Sequence, residues 1–350
     1  MKYSNVIGLM SGTSLDGVDL VYVKFKDSKK FKILEVQTIP YPNRWLQELK
    51  NIASYPKGAK ELKLLDVELG KYFGELLLSF IHLKKIKKID LIASHGHTVH
   101  HQPEKGYTLQ IGDGEEIFRK TNIKTIYNFR EQDVLLGGQG APLVPIGDQL
   151  LFSEYDYCLN LGGFSNISYQ ENNVRKAYDI CPVNTVLNVY ANQLGFEYDK
   201  NGELSQKGNI NQELLSELNQ LDFYQSTSPK SLGVEFLQKE VYPLLDKYKI
   251  PVIDILRTFV EHVAYQLTNK LKKGTVLITG GGAYHSFLIS RIQNFNPNLS
   301  LIIPSKELIE YKEALIFALL GVLKEQNKIN CLSSVTGAIK DHITGKYAGI

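Results

Sequence analysis

Three stretches of this chain set polar or acidic side chains beside glycine in patterns that could handle phosphate or protons. The first is GLMSGTSLDGVD, Gly8 to Asp19. Within it Gly12, Thr13, Ser14, Leu15, Asp16 and Gly17 have Gly-x-x-x-x-Gly spacing. Val18 and Asp19 stand where a Walker A needs Lys and Ser/Thr, and a strand follows where a P-loop needs a helix. It is therefore not a P-loop. Its glycines would still let backbone N–H groups approach an anion, its hydroxyls add donors, and Asp16 could hold Mg²⁺ through water. The plainer alternative is a tight hairpin turn, where Gly and Asp are common anyway.

The second stretch, Gly162-Gly163 followed by Ser165 and Asn166, repeats that arrangement about 150 residues later, again between two apolar strands. Duplication and two unrelated hairpins both fit the pattern. The third, Gly280-Gly281-Gly282, follows an apolar strand and precedes a helix. It lacks the Gly-x-Gly-x-x-Gly of a dinucleotide fold, but three glycines permit close contact with a planar ligand such as a nucleoside. A plain strand-to-helix turn explains it equally well. Asp179 ends a strand just before Pro182, where a carboxylate can serve as general base or simply bond its own turn.

His95, His97, His100 and His101 invite a metal reading, yet Gly96 interrupts them and no carboxylate or Cys follows at ligand spacing. A polar wall for a ligand, or ordinary surface histidines, fits better. Arg130 could be an anion fork or a structural ion pair. No Gly-x-Ser-x-Gly elbow is present, so a hydrolase reading has no nucleophile.

The elements that must position these residues alternate. Strands are expected around Val6–Ile7, Val18–Val23 and Lys32–Thr38, then at Asp90–Ser94, ending in a His-Gly-His turn. Leu65, Leu69, Phe73, Leu76 and Leu77 form a helical stripe within 61–83. After a Gly/Pro-rich run at 135–145, the second half adds strands at Tyr157–Leu161, Val174–Tyr178 and Val276–Thr279. It also carries helices over 252–271 and 310–325. Strands alternating with helices argue for an α/β fold.

The 350 residues suggest about two domains. With 40 Lys+Arg against 37 Asp+Glu, the net charge of +3 is too balanced for a nucleic-acid binder. The apolar run Ala314 to Leu323 is about half the ~20 residues a bilayer needs. No secretory signal fits the N-terminus, so the cytoplasm is the expected location. Cys158, Cys181 and Cys331 lie far apart, which argues against a disulfide scaffold and more strongly against a structural zinc site.

Taken together, these motifs resemble the anhydro-N-acetylmuramic acid kinase family of the actin/hexokinase/Hsp70 superfamily. The opening GLMSGTSLDGVD is complete, and SHGHTVHH (Ser94 to His101) is similar with His97 in place of Gln. LQIGDGEEI, NFR (Asn128 for the usual Asp), GGQGAPLVP, NLGGFSNIS, TGGGAYHSFL, Glu313-Ala314 and SSVTGA follow in order. The resemblance implies two RNase-H-like domains flanking a central cleft with ATP in it. Residues 1–130 plus about 311–350 would form the first, and 131–310 the second. It implies phosphate loops at 8–19 and 160–168, an adenosine pocket at Gly280 to Gly282, Mg²⁺ near Asp16, and Asp179 as the catalytic base. His97, Arg130 and Glu313 are candidates for the sugar site.

The implied reaction opens 1,6-anhydro-N-acetylmuramic acid with water and phosphorylates O6, in bacterial peptidoglycan recycling. A homodimer is a further expectation from the family. One departure stands out: Asp179-Ile180-Cys181-Pro182-Val183-Asn184 replaces the usual Asp-Thr-Gly-Pro-Gly-Asn. The backbone is expected to differ there, because β-branched Val tolerates positive φ poorly. That leaves open a kinase for another sugar and a non-catalytic ATP-binding module. Keeping both Asp179 and Glu313 speaks against the latter.

Overall fold

The computed structural model describes residues 3–12, 15–225 and 231–349. The chain divides into two compact units, Met1–Leu151 with Tyr311–Ile350, and Phe152–Glu310.

In the first unit β1 (Tyr3–Ser11), β2 (Val18–Lys26) and β3 (Lys30–Ile39) form an antiparallel meander. Their Val, Ile, Tyr and Phe content suits a pleated surface buried on its core side. β4 (Leu91–Gln102) lies parallel to β1, and β5 (Tyr107–Ile111) pairs with β4 antiparallel. β6 (Thr125–Tyr127) runs parallel to β4, and a last short strand, Lys346–Ala348, pairs antiparallel with β6. The helix Lys60–Leu83 buries Leu62, Leu65, Leu69, Phe73, Leu77 and Phe80. These steps of three and four residues place one apolar stripe against Ile7, Leu9, Leu20 and Ile92 of the sheet.

The His-Gly-His segment is not the turn expected from sequence. β4 continues through it to Gln102, with His97 opposite Ile111 on β5. The polar character of this segment suggested an end to the strand, but β5 supplies a partner and the ladder carries on.

The helix Lys306–Glu325 belongs to the first unit from Tyr311 onward and packs Ala314, Ile316, Phe317 and Leu320 into its interior. It approaches β1 so closely that a Cβ on Gly8 would sit 2.1 Å from the Ala314 carbonyl oxygen. Only glycine fits. Because the obstacle is backbone, Gly8→Ala should cost about 1–3 kcal/mol, as overpacking does. A urea-unfolding midpoint unchanged from the parent would refute this reading.

In the second unit β7 (Tyr157–Leu161), β8 (Phe164–Glu171) and β9 (Val174–Pro182) form another antiparallel meander. β10 (Gly274–Thr279) lies parallel to β7, and β11 (Leu299–Ile302) parallel to β10. The helices Asn184–Gln193 and Val252–Lys270 bury Val186, Leu187, Leu256, Phe259 and Val263 in the same core as Leu159 and Ile167.

Both sheets therefore read β3-β2-β1-β4-β6 and β9-β8-β7-β10-β11, the same order with the same strand directions. The two Gly turns, β1–β2 and β7–β8, occupy equivalent positions in it. Of the two readings left open by the spacing, repetition of one architecture is the one realised.

Residues 131–151, given above to the second domain, group with the first unit. Gln139 N–H donates to Thr336 O (2.8 Å), Thr336 Oγ1 to Asp133 Oδ1 (2.7 Å), and Lys312 Nζ lies 2.7 Å from Asp148. Glycine and proline content marked this run as irregular but carried no information about which core it serves. Among the described residues, no helix is long and apolar enough to cross a membrane.

Candidate active site

The candidate residues fall into two sets, one in each unit. In the first, the β1–β2 turn carries the opening motif. Leu15 N–H donates to Gly12 O at 3.3 Å, and Leu15 itself is left-handed, with φ 62°. That conformation costs a non-glycine residue about 1–2 kcal/mol. Such outliers are retained where a loop is shaped for a task. Asp16 is exposed and Asp19 half-buried, with Asp19 Oδ1 accepting from Thr38 Oγ1 at 2.5 Å. Gly17 and Val18 are buried at the foot of β2. Thr13 and Ser14 lie outside the described residues.

β4 delivers two buried histidines. His95 Nε2 accepts from Arg130 Nε (2.9 Å), which leaves its Nδ1–H to face Gly96 O at 2.9 Å. Burial, reinforced by the Arg130 charge, holds His95 well below its ordinary pKa. His97 Nδ1 meets Ser11 Oγ at 2.9 Å, and Ser11 Oγ meets Tyr41 OH at 2.6 Å. Burial brings His97 down to about 4, so at neutral pH it is a neutral hydrogen-bond partner. His100 reaches Tyr55 O and His101 reaches Thr108. The four histidines thus bond to separate partners and do not converge on a metal.

Arg130 also donates Nη1 to Gly140 O at 2.8 Å. Its neighbour Asn128 has φ 57°, a conformation Asn adopts more readily than most residues. Burial pushes the Glu313 carboxyl upward, the Arg130 charge opposes it, and Asp19 adds to the rise. Solvent reaches the Glu313 side chain despite the protein packed around it, and that access tempers the push. Arg130, Glu313 and Asp19 therefore lie within electrostatic reach of one another. His97 enters through Ser11, the residue preceding Gly12.

In the second unit, Asp179 lies on β9 at a bulge: Asn166 pairs with Asp179 and Ser165 with Cys181, leaving Ile180 extra. Asp179 Oδ2 accepts the Leu232 N–H at 2.8 Å. Burial raises its carboxyl above the ordinary range, and the Leu232 hydrogen bond pulls the other way. A half-buried carboxylate of raised basicity is what proton abstraction from a hydroxyl or water requires.

The departures after Asp179 are absorbed by the core. Cys181 stays in the strand, with its N–H and C=O both bonded to Ser165 Oγ, and Val183 has φ −133°. Both side chains are fully buried. No left-handed residue is needed, so Val is tolerated where glycine was the usual choice.

Val183 and Thr185 N–H donate to Gly163 O at 2.8 and 3.2 Å, tying the β7–β8 turn to the start of the helix Asn184–Gln193. Gly280 has φ 80°, and a Cβ there would lie 2.6 Å from Asn160 Oδ1. Gly281 is exposed and a Cβ on it would meet nothing nearer than Asn184 Nδ2 at 3.5 Å. Beside them the buried Thr279 Oγ1 has no hydrogen-bond partner. The exposed Gly281, with no heavy atom closer than that to its missing Cβ, leaves room for a planar ligand such as a nucleoside.

Several positioning groups carry no separate signal in the sequence: the His95 acceptor behind Arg130, the Ser11–Tyr41 pair behind His97, and the Leu232 N–H on Asp179. His95 stood in the same motif as His97, and its ring nitrogens could have been asked for partners. Tyr41 and Leu232 are reached only through the fold.

A twice-used sheet order with a glycine turn after its first strand in each copy is an actin-like two-unit α/β architecture, and the match to a kinase family places it in the sugar-kinase class. The sequence matches the family model described as anhydro-N-acetylmuramic acid kinase over residues 4–348. The chain belongs to that family. A relative named anhydro-N-acetylmuramic acid kinase from Shewanella denitrificans is 36% identical over 97% of this chain and 96% of its own. One of the same name from Sulfurovum is 32% identical over 99% of both. Solved structures match more loosely. Component A of the Acidaminococcus fermentans (R)-2-hydroxyglutaryl-CoA dehydratase gives a TM-score of 0.45 at 16% identity, over 93% of this chain and 100% of that one.

Proposed function

We propose that this chain is an ATP-dependent kinase that opens 1,6-anhydro-N-acetylmuramic acid with water and phosphorylates the released O6. The observation that carries the chemistry is Asp179, a half-buried carboxylate of raised basicity with one oxygen held by a backbone N–H. The names of the full-length relatives support the substrate.

Asp179 takes a proton from water as that water attacks the anomeric carbon. The C1–O6 bond breaks, and O6 accepts the γ-phosphoryl group of ATP. The products are N-acetylmuramic acid 6-phosphate and ADP. The base contributes about 10²- to 10⁴-fold.

Phosphoryl transfer itself asks mainly for positioning and charge neutralisation. The Gly12–Gly17 and Gly162–Gly163 turns offer backbone N–H groups to the phosphates, and Gly280 to Gly282 receive the adenosine. The exposed hard oxygens of Asp16 suit Mg²⁺ held through water, and that ion would offset phosphate charge. Arg130 and Glu313 present a donor fork and an acceptor to the sugar, with neutral His97 as a further hydrogen-bond partner.

Incubation with ATP, Mg²⁺, the anhydro-sugar and ¹⁸O-water, followed by mass spectrometry, tests the reading. Labelled oxygen at C1 of a phosphorylated product is expected. An unlabelled product would exclude attack by water. Absence of product would point to another sugar or to a non-catalytic ATP-binding module.

A further inference from the structure

We propose that Asp133, Cys331 and His342 form a divalent-metal site in the first unit, taking Zn²⁺ through Asp133 Oδ1, Cys331 Sγ and His342 Nε2. It is separate from the proposed reaction and from the Asp16 position. Among the described residues these three form a group whose ligand atoms all lie within 4.8 Å of one another. They are 0%, 1% and 7% exposed.

The distances suit a bound ion. Cys331 Sγ lies 3.2 Å and His342 Nε2 3.6 Å from Asp133 Oδ1. Tetrahedral zinc, with bonds of about 2.0–2.3 Å, spaces neighbouring ligand atoms by roughly 3.3–3.6 Å. Sulfur, imidazole nitrogen and carboxylate oxygen together are a donor set that suits zinc.

The orientation of His342 is the second observation. Its Nδ1 lies 3.1 Å from the Lys340 carbonyl, which can only accept, so Nδ1 carries the proton. In the neutral ring, Nε2 then points a lone pair at a carboxylate oxygen. That nitrogen is buried and makes no hydrogen bond. Two facing acceptors need a positive charge between them. A proton on Nε2 supplies it while the Cys331 thiol donates to the same oxygen at 3.2 Å; one metal ion would replace both protons and use all three side chains as ligands.

The outer contacts also match a metal site. A ligating histidine usually donates its other N–H to a carbonyl or carboxylate, as His342 does to Lys340. Asp133 is oriented by the Gly140 N–H on Oδ2 (2.7 Å) and the Thr336 hydroxyl on Oδ1 (2.7 Å). Zinc binding displaces the Cys331 thiol proton to solvent. The ion would pin the C-terminal segment to the loop whose Gly140 carbonyl holds Arg130. Sequence spacing concealed this, since Asp133 and Cys331 are 198 positions apart.

The test uses the full chain, stripped with a chelator, dialysed and reloaded with Zn²⁺ or Co²⁺ alone. One zinc per chain should be retained after gel filtration in excess Mg²⁺. Co²⁺ should produce the near-ultraviolet band of a thiolate–cobalt bond, absent in Cys331→Ser. His342→Gln should weaken zinc binding beyond the ~10- to 100-fold typical of an outer-shell partner. If either variant fails to fold, the cobalt spectrum of the parent decides alone. A parent that retains no zinc and shows no thiolate band would overturn the proposal and leave an Asp133–His342 ion pair. Unchanged zinc binding in both folded variants would overturn it too.

Discussion

Replacing Asp179 with Asn is expected to lower turnover by about 10²- to 10⁴-fold, the range for loss of a general base. ATP affinity should stay at the parent level. Asn keeps an oxygen that can accept the Leu232 N–H, so the local backbone is preserved. What disappears is the capacity to take a proton.

Two further readings separate a base from a structural residue. Burial raises the Asp179 carboxyl, so the base is lost by protonation at a higher pH than an ordinary aspartate would be. The acid limb of kcat/KM in the parent should therefore fall above the usual carboxylate range and vanish in the residual activity of the variant. The same upward shift sets the sign for stability. The folded state favours the protonated form, so this group's contribution is fully present at low pH and lost as pH rises through the folded pKa. Asp179→Asn should thus unfold at the same temperature as the parent, or higher, at neutral pH. Near-parent turnover would mean another base, and a collapsed melting temperature would mean a structural role.

Arg130→Lys is expected to raise KM for the sugar by about 10- to 150-fold, equivalent to the ~1.5–3 kcal/mol of a charged hydrogen bond. KM for ATP should change little. Arg130 uses Nε on His95 and Nη1 on the Gly140 carbonyl, which fixes the guanidinium plane beside Glu313. A lysine keeps the charge but has no planar fork to hold two such partners while addressing a third group. If sugar KM is unaffected, Arg130 serves the loop and not the ligand. A loss of kcat at constant KM would place its effect in the transition state.

Much of the architecture was legible in the chain because both units rely on strongly patterned local elements. The stripe from Leu65 to Leu77 has the helical period, and the alternation from Val18 to Val23 has the strand period. The two Gly turns left a repeat as one of two readings, and strand order decided between them. What was not legible depended on partners distant in sequence. β4 passes through His95-Gly96-His97 because β5 lies beside it, and no local signal says so. The segment 131–151 joins the first unit because Thr336 and Lys312 receive it.

The site was legible to a similar depth. Asp179, Arg130 and Glu313 were visible as types in motifs, but their environments were not. That His95 is an acceptor held neutral, or that Cys181 and Val183 turn into the core, follows from packing. The Asp-Ile-Cys-Pro-Val-Asn departure suggested a backbone without positive φ at Val183, and Val183 has φ −133°, but that its side chain and that of Cys181 fill the core was not visible in the chain.

The discontinuity of the first unit has a consequence for how the chain is made. Its second unit is one contiguous stretch, complete once Glu310 has been joined. The first begins earlier but lacks the helical residues that cover β1 and the strand that covers the edge of β6 until residues 311–348 exist. On the ribosome, then, the earlier-made sheet waits with an open edge and an uncovered face while the later-made unit can already close. Stalling or truncation shortly after residue 310 would release a chain whose second half is finished and whose first half is exposed to aggregation.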